Sequence, residues 1–78
     1  MEIIFKPSYL SPWTLTDKQI ISDQGVVELS DINNIKHTPL KMFAQNGVIQ
    51  LYLSNGGILT LGYPKNQKSQ GEQAAQYI

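Results

Sequence analysis

The stretch Val48–Tyr63, VIQLYLSNGGILTLGY, constrains the fold of this chain more than any other part of it. Alternation with period two puts Ile49, Leu51 and Leu53 on one face of a first strand, and Leu59, Leu61 and Tyr63 on one face of a second, so the segment reads as an antiparallel hairpin. A two-residue Asn55-Gly56 loop would set Leu51 against Thr60 and Ile49 against Gly62, mixing core and solvent positions. A three-residue loop, Asn55-Gly56-Gly57, brings Leu53 to Leu59, Leu51 to Leu61 and Ile49 to Tyr63, with Gly57 free to supply the left-handed residue on which such loops close. A slip of one residue would turn the whole apolar row to solvent, so the register is strongly specified. The hairpin sets the fold class and carries no function of its own.

Seventy-eight residues with one tryptophan make a single small domain, 1–78, with no room for a second core. There is no cysteine, so neither a disulfide framework nor a thiolate metal site staples it, and burial and backbone pairing must supply the stability. Ile3-Ile4-Phe5 is too short for a signal or spanning segment and no basic region precedes it, so neither export nor membrane insertion is indicated and a cytoplasmic location is expected. Charge argues against polyanions: six lysines balance six acidic residues, and there is no arginine to read phosphate or guanine in bidentate fashion. The lysines are scattered, and the closest two, Lys65 and Lys68, read as solvated surface. No nucleic-acid partner is expected.

Further along the chain, short strands are expected at 2–6, 12–16, 19–23, 25–29 and 34–38, ahead of the hairpin strands at 47–54 and 58–63. Pro7 ends the first. Trp13 and Leu15 point inward, and an Asp17-Lys18 turn places Leu15 opposite Ile20. Asp23-Gln24-Gly25 is either a two-residue loop with a bulge or a three-residue loop. Ser30–Asn34 is rich in residues that bond their own backbone, so a helical turn or capped corner anchored by Ile32 and Ile35 is expected there. Thr38–Asn46 is the longest irregular connection. After Pro64 the composition turns helical over 65–78, with Gly71, Ala74, Ala75 and Ile78 as a small inward stripe; Gly71 makes that helix depend on docking rather than on propensity.

The fold class expected is therefore mainly β with one C-terminal α-helix. Leu15-Thr16-Asp17 with Ile20, Val27-Glu28-Leu29-Ser30-Asp31-Ile32 with Ile35, Gly47-Val48-Ile49-Gln50-Leu51, and the ending Gln76-Tyr77-Ile78 together resemble the short bacterial pleckstrin-homology-like (PH-like) domains, a family of uncharacterised function. The resemblance spans most of the chain and rests on the order of elements more than on any one motif. It implies a small barrel of about seven antiparallel strands in two near-orthogonal sheets, capped by the helix. Phosphoinositide binding is not carried over, because the first loop, Lys6 to Pro12, holds a single lysine.

No residue constellation points to catalysis or a cofactor. His37 is the only histidine, too few for an ordinary zinc shell, and no nucleophile motif accompanies it, so it reads as a surface residue at a strand end. Asp17, Asp23 and Asp31 read as turn residues capping local backbone. Gly56-Gly57 lacks the lysine and hydroxyl of a phosphate loop. The candidate contact residues are Leu40, Met42 and Phe43, which either face a partner or fold back as a minor core, with Tyr9 and Leu10 as a second group. Expected function is a non-catalytic binding or scaffolding module for a protein, a peptide or a second copy of itself. The alternative is peripheral membrane contact through Met42 and Phe43, with Lys36 and Lys41 on anionic lipid.

Overall fold

β-Branched and aromatic runs broken by Pro, Gly and Asp every few residues can pair only as short antiparallel strands. The computed structural model, which describes residues 1–78, shows seven of them: β1 (Glu2–Phe5), β2 (Trp13–Thr16), β3 (Gln19–Ser22), β4 (Gly25–Glu28), β5 (Ile32–Thr38), β6 (Asn46–Leu53) and β7 (Ile58–Pro64). Strands β1 to β4 form a four-stranded meander and β5 to β7 a three-stranded one. A 3-10 turn, Leu29–Asp31, carries the chain from the first sheet to the second, and another, Lys65–Gln67, leads into the terminal helix α1 (Lys68–Tyr77). The ladders do not run on from one sheet into the other, so the strands do not close into a hydrogen-bonded barrel.

Leu15 stands opposite Ile20 as expected, and Ser22 pairs with Gly25, which selects the two-residue loop for the β3–β4 turn. The 65–78 helix is shorter than expected, because its first three residues are 3-10. Strand β5 starts at Ile32 rather than 34: the corner is confined to Leu29–Asp31, and the self-bonding tendency of the following asparagines appears as a bulge, with Asn34 Oδ1 accepting from the Ile35 N–H.

The main hairpin keeps its faces but not its partners. Leu51 pairs with Leu59 and Ile49 with Leu61, two residues away from the expected register. The loop is Ser54-Asn55-Gly56: the Gly56 N–H donates to Leu53 O at 3.0 Å, the Leu53 N–H to Gly57 O at 2.9 Å, and Gly56, not Gly57, takes the positive φ of 89°. Asn55 decides it, its Oδ1 accepting from the Gly57 N–H at 2.8 Å. Both loops hold three residues and preserve the same parity, so periodicity alone cannot separate them.

Phe5, Trp13, Leu15 and Ile20 from the first sheet meet Ile49, Leu51, Leu59, Leu61 and Tyr63 from the second, with Ala74 and Ala75 of α1 closing the core. Phe5 and Trp13, opposite one another in the ladder, stack with centroids 4.3 Å apart. The Trp13 indole N–H crosses to the second sheet and donates to Gly62 O at 2.7 Å. Tyr63 is wholly buried between two glycines: a Cβ on Gly47 of β6, or on Gly71 of α1, would overlap its ring. Gly71 thus weakens the helix as a peptide and admits it to the sheet as a packed element.

Gly47→Ala should lower stability by about 2–3 kcal/mol, roughly 10–20 °C in Tm for a domain this small. Gly71→Ala should cost about 1 kcal/mol less, since alanine returns helix propensity. Both losses should shrink in a Tyr63→Leu background, measured by denaturant melts as a double-mutant cycle; unchanged losses there would show that the ring is not what excludes the methyl.

Candidate functional site

Two connections meet at one end of the molecule. The β1–β2 loop (6–12) and the β5–β6 connection (39–45) are stapled by Asn46: its Oδ1 accepts from the Ser8 N–H at 2.9 Å and its Nδ2 donates to Ser8 O at 2.7 Å. This paired amide bond works like one rung of a ladder, holding both loops to the start of β6. Leu10, itself half-exposed, lies over Gly62, where a Cβ would stand 2.8 Å from its Cδ1.

Of the five candidate contact residues, Leu40 packs against the core, whereas Met42 and Phe43 are 82% and 91% exposed and Tyr9 is 94% exposed. The connection is thus anchored by its first apolar residue and presents the next two to solvent. Tyr9 is the one non-glycine residue with positive φ, at 63°. That conformation costs a side-chain-bearing residue about 1 kcal/mol or more, which glycine would avoid.

Another exposed apolar set escaped the sequence reading. Ile4, Ile21 and Val26 line up across the first sheet through Thr14 on its outer face. These are β-branched residues in register, and their cross-strand packing stabilises the sheet itself. Tyr9, Met42 and Phe43 sit on loops and have no comparable structural role.

His37 is not a free surface histidine. Its Nε2 lies 2.6 Å from the Tyr63 hydroxyl, and the rings are tilted at 47° with centroids 5.7 Å apart. Burial pushes the Tyr63 phenol above its ordinary value; a contact from the Leu40 backbone partly offsets this, and the nearby Glu72 carboxylate adds to it. This hydrogen bond ties the end of β5 to β7, and with it the start of the 39–45 connection. The aspartates also differ from expectation. Thr16, Ser22 and Asn55 make the local turn bonds, while Asp23 accepts from the Ser11 hydroxyl at 2.9 Å.

A shallow groove of about 130 Å³ runs between β7 and the β3–β4 turn, lined by Leu10, Trp13, Asp23, Gln24, Thr60 and Gly62 among others. No three His, Asp or Glu side chains gather in a metal-holding group, and no helix is long and apolar enough to cross a membrane. Comparisons with protein-family models, with curated proteins and with solved structures found no match.

Sequence reasoning missed Asn46, because Asn46-Gly47 reads as a turn signal, and missed the His37–Tyr63 pair, which spans β5 and β7. Because the Tyr63 pKa is raised in the folded state, its contribution to stability is complete below the unfolded value of 10.0 and is lost as pH rises through the folded value. Base titration followed by phenol absorbance should therefore show one tyrosine ionising late, together with unfolding. Tyr63→Phe should remove that step and cost about 1 kcal/mol near neutrality through the lost His37 bond.

Proposed function

We propose that this chain is a non-catalytic binding module whose contact surface is the loop end carrying Tyr9, Met42 and Phe43. The observation that carries the reading is Tyr9: a fully presented aromatic held in a left-handed conformation that glycine would hold at lower cost, with Met42 and Phe43 equally presented on the other connection. Aromatic and methionine side chains supply large apolar contact area with few polar demands, which suits a protein partner. Engagement of His37 with Tyr63 supports a non-enzymatic role, since it takes up the one imidazole of the chain in a structural bond.

The order of seven strands and a capping helix also supports membership of the PH-like family, with the two sheets as an open form of its barrel. A second reading has Met42 and Phe43 dip into an anionic membrane; Lys41 immediately before them favours it.

Tyr9→Gly with Met42→Ser and Phe43→Ser should leave Tm unchanged or slightly raised, because none of the three is buried. A photo-crosslinking residue at position 43 should form discrete protein adducts in cells, and the same residue at Gln73 should not. Absence of adducts at 43, with co-sedimentation of the chain on anionic vesicles at low salt, would replace the protein reading with the membrane one.

A further inference from the structure

Sheet edges expose unpaired backbone groups, and each strand at an edge here treats them differently. On β1, the outward Lys6 N–H and Ile4 C=O are taken by the side-chain amide of Gln67, at 3.0 and 2.8 Å. On β5, Asn34 Oδ1 takes the Ile35 N–H, and β4 is only four residues long. The outer edge of β7 has no such cover at Ile58 and Thr60, whereas Gly62 lies under Leu10. In an antiparallel ladder successive residues turn their backbone groups alternately toward and away from the partner strand. The Leu53 N–H to Gly57 O bond places Leu59 and Leu61 among the residues bonded to β6, so Ile58, Thr60 and Gly62 face outward. The Trp13 indole confirms that direction by donating to Gly62 O. Ile58 and Thr60, both exposed, then present unpaired backbone N–H and C=O groups along this edge.

We propose that the Ile58–Gly62 edge of β7 is a strand-addition site for an extended peptide bearing a basic side chain, which rests on the protein-binding reading and names the form of the partner. The spacing of free donors and acceptors is that of a β-strand, so an extended backbone satisfies them two residues at a time. A facing wall made by Leu10, Ser11 and the β3–β4 turn stands across the groove from this edge. Asp23, held by Ser11, is the one charged residue lining the groove, so a lysine or arginine beside the added strand meets a carboxylate. Leu10, the residue after Tyr9, lines one end of the groove.

A phage-displayed library of linear peptides selected against the full chain supplies the probe. Enriched peptides should carry a basic residue, and binding of a synthetic representative should fall about tenfold or more in Thr60→Pro but not in Thr60→Ala. Proline removes only an outward N–H, a change that edge strands tolerate. Asp23→Asn should erase the basic preference. If Thr60→Pro melts early, amide exchange on the wild type decides instead: bound peptide should protect the Ile58 and Thr60 amides. No enriched peptide, no protection of those amides, or a self-dimer broken by Thr60→Pro overturns the proposal. A selected peptide whose binding is lost in the Tyr9, Met42, Phe43 triple variant and kept in Thr60→Pro also overturns it, while leaving the loop surface standing.

Discussion

The Tyr63 ring lies between Gly47 of β6 and Gly71 of α1, with its hydroxyl on His37 of β5, and the rest of the structure depends on that contact. One side chain thereby ties the second sheet across its three strands and binds the helix to it. A ten-residue helix with an interior glycine has no independent stability in water, so its existence follows from the docking of Gly71, Ala74 and Ala75 on this ring and its neighbours. A domain with eleven buried apolar residues and no disulfide has few alternatives for joining its parts.

The first sheet is joined to this frame by directed bonds rather than by a continuous ladder. Trp13 reaches Gly62, Ser54 reaches Asp31 O, and Gln67 reaches back to the outer edge of β1 at Lys6 N–H and Ile4 O. These bonds satisfy groups that the gap between the two sheets would otherwise leave open. The same economy shapes the loop end: one side chain, Asn46, ties the β1–β2 loop to the start of β6, and Tyr9, Met42 and Phe43 stay exposed. Structure and candidate contact surface are carried by different residues.

The sequence made visible what depends on parity and composition. Alternation put Leu51, Leu59, Leu61 and Tyr63 inward, the small residues of α1 marked its buried face, and Leu15 met Ile20, because each follows from local pattern. The hairpin partners were displaced by two residues because such a shift leaves every face unchanged; the choice lay in the hydrogen bond from Gly57 to Asn55. The partners of Tyr63 were hidden for another reason. His37, Gly47 and Gly71 are spread over the second half of the chain, and nothing local says that they converge. At the candidate site, exposed Met42 and Phe43 were legible as loop apolars, whereas the left-handed backbone of Tyr9 and the open edge of β7 exist only once the sheets are formed.

The separation of frame and surface is the central claim, and a protease-resistance scan of single substitutions at every position tests it most directly. Gly47, Tyr63 and Gly71 should rank with Trp13 and Leu61 among the least tolerant positions, while Tyr9, Met42 and Phe43 should accept polar residues without loss of resistance. Loss of resistance at Met42 and Phe43 comparable to that at Leu61 would contradict it, making that loop part of the core and leaving no apolar contact surface there.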